Sequence, residues 1–177
     1  MKIVLTGACC GKSTLTNEFR SRGYETMDEV ARKILKKYKH NMPVNRGRIQ
    51  EEILETRLKE EDSLNGNPVF MDRGSVDVLA YSRMYLDKIP DIFYKTDFKN
   101  RYDFVFLLDR FPLEKDGIRI EKDDKEAEKI HQTIKSCYIE HGYSPIIVPI
   151  FPGDLETSVS RRADFILDYS SPKIKIN

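Results

Sequence analysis

Ile3-Val4-Leu5-Thr6-Gly7-Ala8-Cys9-Cys10-Gly11-Lys12-Ser13-Thr14 sets an apolar run directly before a glycine-bounded loop, and that loop directly before a helical pattern. A strand that turns through glycines into a helix brings successive backbone N–H groups together at a helix N-terminus, where the helix dipole also favours an anion. Gly7, Ala8, Cys9, Cys10, Gly11, Lys12, Ser13 and Thr14 therefore read as a phosphate cradle. Lys12 would reach the outer phosphates as a flexible point charge, and the Ser13 hydroxyl would join the coordination shell of magnesium. The reading is of a nucleoside-triphosphate user. The pattern G-x-x-x-x-G-K-[ST] is not fully met, because Thr6 stands where the first glycine belongs. We read Thr6 as a replacement, which puts a Cβ where the backbone wants freedom. Gly-Lys-Ser-Thr is also an ordinary helix start, with Ser13 or Thr14 as its cap; the strand before it and the helix after it favour the phosphate reading.

The 177 residues suit one domain, 1–177, with a small lid, and 40% hydrophobic content suffices for one core. Thirty basic residues against twenty-nine acidic leave a net charge of +1, so no global field favours nucleic acid or an anionic membrane. A polynucleotide acceptor would need a local basic groove beside Arg73, which the net charge neither supports nor excludes. No apolar stretch approaches the roughly 18 residues of a spanning helix, and no secretory leader is read at the N-terminus. A cytoplasmic location is expected. Three cysteines, two of them adjacent, form no disulfide framework and no metal spacing. Cys9 and Cys10 fall at a helix N-terminus, a setting that lowers a thiol pKa and would let oxidation block phosphate binding. Small residues filling loop positions is the simpler account.

Along the chain the elements alternate. Strands are expected at Lys2–Leu5, Tyr24–Met27, Val69–Met71, Phe104–Leu108 and Pro145–Ile150, with a short one at Phe165–Leu167. Helices are expected at 12–22, stopped by Gly23, at 29–39 and at 76–86, with another over 124–141 and one near Leu155. A long amphipathic helix carrying Ile49, Ile53, Leu54 and Leu58 is expected to end at Asn65-Gly66-Asn67-Pro68. This order implies right-handed crossovers and an α/β three-layer sandwich, with ligands at the carboxyl ends of the strands.

Polar residues at those ends are the site candidates. Asp72 follows an apolar strand, where a carboxylate can hold magnesium or accept a proton from an attacking hydroxyl, and Arg73 can grip a phosphate or substrate oxygen; a surface-turn ion pair is the alternative. Glu29 and Arg32 either face a polar substrate or make an ordinary helix-start pair. Asp116-Gly117-Ile118-Arg119 lies in a charged stretch from about 110 to 125, where a lid would attach. Arg119 would then supply positive charge to the transferred phosphoryl group, or else sit in a solvated turn. His40, His131 and His141 are read as surface residues. The segment 87–99 is a candidate substrate lip.

The ordered set Leu5-Thr6-Gly7 to Lys12-Ser13-Thr14-Leu15, Glu29-Val30-Ala31-Arg32, Phe70-Met71-Asp72-Arg73-Gly74-Ser75-Val76-Asp77, Asp116-Gly117-Ile118-Arg119 and Arg162-Ala163-Asp164-Phe165-Ile166-Leu167 resembles the small AAA-domain ATPase/kinase family of P-loop NTPases. That family is related to ribosylnicotinamide kinase and to nucleoside and nucleotide kinases. The resemblance implies a P-loop kinase-like sheet of order 2-3-1-4-5, with ATP and Mg2+ as cofactors. It also implies phosphoryl transfer to a small hydroxyl-bearing acceptor of nucleoside or nucleotide type. By position, Lys12, Asp72 and Arg119 would be catalytic, Ser13 and Asp72 would hold the metal, Glu29, Arg32 and Arg73 would meet the acceptor, and Arg162 would lie near the adenine. A hydrolase that uses water as acceptor, or a nucleotide-binding switch with little turnover, are the alternative readings.

Overall fold

The computed structural model describes residues 1–38, 45–111 and 123–171. Within them, five strands form one parallel sheet of order β2-β3-β1-β4-β5, from β1 (Lys2–Thr6), β2 (Glu25–Met27), β3 (Val69–Asp72), β4 (Phe104–Leu108) and β5 (Ile146–Val148). The helices are α1 (Lys12–Ser21), α2 (Val30–Lys37), α3 (Arg46–Ser63), α4 (Ser75–Tyr85), α5 (Asp91–Lys95), α6 (Asp124–Glu140) and α7 (Leu155–Ser170). This is the three-layer, P-loop kinase-like sandwich implied by the alternation and the resemblance.

The layers follow from the two-residue period of the central strands, which are apolar on both faces. Val4, Val69, Met71, Val105 and Leu107 point into a core shared with α2, α3, α4 and α6. Their neighbours Ile3, Leu5, Phe70, Phe106 and Leu108 point into a second core with α1 and α7. There Phe19 stacks on Phe70 at 3.7 Å between ring centroids. Helix α1 presents Leu15, Thr16 and Phe19 to that core at three- and four-residue spacing and is stopped by Gly23 at φ 86°.

Strand register brings the polar chain to one edge. Leu5 pairs with Asp72, Thr6 with Leu107 and Met27 with Met71, so β1, β2 and β3 release their following loops side by side. Among the described residues no helix is long and apolar enough to cross a membrane.

Two expectations are corrected. Phe165–Leu167 is no strand but part of α7, because Val159, Arg162, Ala163, Ile166 and Ser170 recur at helical spacing and bury one face. A three-residue apolar run is too short to reveal its own period. His131 is no surface residue, being only 6% exposed on the inner face of α6. His141 is partly buried, with Nδ1 at 2.7 Å from the Cys137 carbonyl, and His40 lies outside the described residues.

Candidate active site

The loop after β1 takes the shape its glycines permit. Gly7 has φ 121°, Cys9 φ 50° and Gly11 φ 75°, and Gly11 caps the N-terminus of α1. Alternating left-handed residues turn successive amides toward one centre, the concavity that binds anions. Gly7 is also required by crowding: a Cβ there would lie 3.0 Å from Cys10 Sγ, 3.1 Å from His131 Cε1 and 3.1 Å from the Leu108 carbonyl. Thr6 is different from what the sequence suggested. It ends β1 as a fully buried strand residue, outside the left-handed region, and its hydroxyl donates to Asp77 Oδ1 at 2.5 Å. The loop's demand for conformational freedom falls on Gly7, so Thr6 carries no backbone cost.

Lys12 folds back over the loop, with Nζ donating to the Gly7 carbonyl at 2.6 Å. Ser13 Oγ donates to Asp72 Oδ2 at 2.7 Å. Asp72 is 2% exposed, and its other oxygen, Oδ1, has no hydrogen-bond partner among the described residues. Burial pushes the Asp72 carboxyl upward and Glu29 adds to that, while Lys12, Arg73 and the Ser13 hydroxyl oppose it.

Arg73, at φ 70°, ties together Glu29, Asp77, Tyr81 and the Gly7 carbonyl. Nε donates to Glu29 Oε1 at 2.8 Å, Nη1 reaches Asp77 Oδ1 at 3.3 Å and the Gly7 carbonyl at 3.4 Å, and Nη2 donates to the Tyr81 hydroxyl at 3.0 Å. Its guanidinium lies 4.8 Å from the centre of the Tyr81 ring. Arg32 Nε donates to Glu29 Oε2 at 3.0 Å, so Glu29 serves both the helix-start pair and the cleft cluster. Burial raises the Glu29 pKa, but Arg73, Lys12 and Arg32 more than offset this and hold it at about 2. Glu29 thus contributes stability that is present above its unfolded value of 4.5 and lost as pH falls through about 2. E29Q is expected to flatten the acid limb of a stability-versus-pH curve, measured by urea unfolding between pH 2 and pH 5.

Arg162 is 2% exposed beneath the loop. It donates to the carbonyls of Cys10 at 2.7 Å, Asp109 at 2.9 Å and Pro149 at 3.0 Å, and lies 4.8 Å from the centre of the Phe111 ring. It joins the loop to the ends of β4 and β5. Cys10 is buried, and burial pushes its thiol upward despite the opposing charges of Lys12, Arg73 and Arg162. The lowered thiol pKa expected there is therefore absent, since desolvation outweighs the helix end. Arg119 and the rest of 116–119 lie outside the described residues.

Three parts of the site were not read from the sequence. Asp77 is buried and receives hydrogen bonds from Thr6, Arg73, the Gly74 amide and the Tyr138 hydroxyl. His131 Nδ1 accepts the Ala8 N–H at 3.3 Å. Arg57, on α3, is buried against Glu61 at 2.9 Å and donates to the carbonyls of Asp28, Asp72 and Arg73. It therefore fixes the backbone just before Glu29 and from Asp72 to Arg73. R57M would leave the buried Glu61 short of a cation and three carbonyls short of a donor, although Arg101 and Tyr102 still reach Glu61. A loss of about 3–5 kcal/mol in urea unfolding is expected.

A family model described as AAA domain matches residues 2–157. No curated protein matches the sequence. Among solved structures, deoxyadenosine kinase from M. mycoides with products dCMP and dCDP superposes with a TM-score of 0.62 at 20% identity, over 97% of this chain and 99% of that one. The NadR protein in complex with NR gives a TM-score of 0.73 at 18% identity, over 99% of this chain and 52% of that one, so this chain spans about half of NadR. Shikimate kinase from Bacteroides thetaiotaomicron gives a TM-score of 0.59 at 14% identity, over 97% of this chain and 98% of that one. At these identities the likeness is one of fold.

Proposed function

The chain belongs to the AAA domain family, and on that footing we propose that it is an ATP-dependent phosphotransferase acting on a small hydroxyl-bearing acceptor of nucleoside or nucleotide type. The observation that carries this reading is the Ser13–Asp72 contact at 2.7 Å beside Lys12, with the second Asp72 oxygen buried and, among the described residues, without a hydrogen bond. A hydroxyl and a carboxylate oxygen, with no denser cluster of ligating side chains among the described residues, suit a hard cation that takes its remaining ligands from water and substrate phosphates. Ser13 and Asp72 would hold magnesium, which when bound supplies charge neutralisation at the phosphates. The fold-level neighbours include proteins described with nucleotides, with NR, and with NAD and AMP-PNP, which supports the choice of ATP and of a small acceptor.

In this reading the acceptor hydroxyl lies between Asp72 and Glu29. Its oxygen attacks the γ-phosphorus, its proton passes to Asp72, and the bond from the γ-phosphorus to the bridging oxygen of ADP breaks. The raised Asp72 carboxyl suits a proton acceptor, while Glu29, held ionised, orients through charge. Lys12 and Arg119 neutralise the loosening phosphoryl group, the loop amides fix it in line, and positioning supplies most of the acceleration. Arg73 and Arg32 hold Glu29 toward the acceptor, and Arg162 braces the loop near the adenine.

The test is incubation with magnesium and γ-labelled ATP against nucleosides, nucleotides, ribosylnicotinamide and short oligonucleotides, beside an acceptor-free control. Label on one acceptor is expected. Phosphate release without an acceptor would replace the kinase by a hydrolase, and binding with no turnover would replace it by a nucleotide switch.

A further inference from the structure

Of the loop amides, that of Ala8 donates to a side chain: Nδ1 of His131, 123 residues away on α6, at 3.3 Å. To accept that hydrogen, the imidazole must be neutral with its proton on Nε2. The ring is 6% exposed, and Cε1 would lie 3.1 Å from any Cβ at Gly7, so it packs on the two residues that begin the loop. We infer that His131 is a positioning residue for the phosphate loop, holding Gly7-Ala8 in the conformation that accepts a triphosphate. The inference rests on the nucleotide reading of the loop, but it concerns a side chain outside the loop, which acts on the phosphate only through the Gly7-Ala8 backbone it holds.

The surroundings favour the neutral ring. Burial lowers its pKa, Arg110 at the end of β4 and Lys12 on α1 lower it further, and Glu128 on the same helix and Asp109 after β4 oppose them. The sign follows: the unfolded chain takes up the proton first as pH falls, so stability begins to decline below the ordinary histidine value, while the neutral contact in the folded protein is lost only as pH falls through the lowered folded value. A protonated ring would turn an N–H toward the Ala8 N–H and push the loop away.

The test is binding of a fluorescent ATP analogue with magnesium to the full chain, with H131F and H131N compared at each pH and thermal melting of all three. Phe keeps the ring volume and removes the acceptor; Asn keeps an acceptor near the place of Nδ1. H131F is expected to weaken binding by about tenfold and H131N by less than about threefold, the difference a buried amide without its acceptor implies. The ratio of wild-type to H131N affinity is expected to stay constant through the ordinary histidine value and to fall only as pH drops through the lower value that burial gives the folded protein. Equal affinity in all three proteins, or equal loss in both variants, would overturn the inference. Absence of binding by the wild-type protein would instead overturn the nucleotide reading, and this inference with it.

Discussion

Replacing Lys12 with Met is expected to lower turnover by about 10²–10³-fold, the range seen when one charge-stabilising donor is taken from a developing anion, with the fold kept. Lys12 is 7% exposed, and its ammonium is held by the neutral Gly7 carbonyl at 2.6 Å rather than by a carboxylate. Met fills nearly the same space, and although Asp72 and Glu29 lose the Lys12 charge, Arg73 still opposes the burial of both, so the circular dichroism spectrum and melting temperature should change little. The loop does not collapse, because Arg73 Nη1 still reaches the Gly7 carbonyl and Arg162 still holds that of Cys10. What disappears, in the proposed reading, is the flexible cation of the loop itself, placed to leave it and follow the outer phosphates. Steady-state rates with saturating ATP, beside a direct binding measurement, separate lost turnover from lost affinity. Turnover within tenfold of wild type would remove the loop from the catalytic machinery.

How much of this was readable in advance depends on the range of the interaction. Ile3-Val4-Leu5 and Phe104–Leu108 declared themselves as buried parallel strands because both faces are apolar, and Gly23 and the 65–68 turn marked helix ends through local chemistry. Lys12, Ser13, Asp72, Arg73 and Glu29 were placed because ligands gather where parallel strands end, and the register of β1, β2 and β3 brings those loops together. The missed residues are joined across long sequence distances. Tyr138 meets Asp77 from 61 residues away and His131 meets Ala8 from 123, and nothing in the local pattern of α6 distinguishes these polar side chains from solvated ones. Arg57 and Glu61 did leave a trace, since they continue the phase of Ile53 and Leu54 along the buried face of α3. A charged pair four apart on an apolar stripe marks a buried ion pair, whereas the same pair on the opposite face would be ordinary surface electrostatics. The α7 error has the converse cause: an apolar triplet at the end of a chain of alternating elements invites another strand, and only the spacing from Val159 to Ser170 contradicts it.

Asp72→Asn is expected to move activity and stability in opposite directions. The carboxylate is buried, close enough to Glu29 for their charges to repel, and one of its oxygens has no hydrogen bond among the described residues. Its folded pKa is raised above 3.8, so as pH climbs the unfolded chain gives up this proton before the folded protein does. Between the two values the folded state binds more protons, and stability falls as pH rises, so that above its ordinary value the Asp72 carboxyl is a net cost to the fold. Asn keeps the acceptor for the Ser13 hydroxyl and removes the buried charge. Its melting temperature at pH 7 should therefore rise by about 2–4 °C, the shift that about 1 kcal/mol gives a chain of this size. Turnover should fall by about 10²–10⁴-fold, because the same change removes both the proposed proton acceptor and a charged ligand of the proposed magnesium site. Raising magnesium distinguishes the two roles: recovery of ATP affinity without recovery of turnover leaves Asp72 as the base, and recovery of both leaves it as a metal ligand. A variant that melts earlier and works as well as wild type would mean that the buried carboxylate is held for the fold, and the site would have to be rebuilt around Glu29 alone.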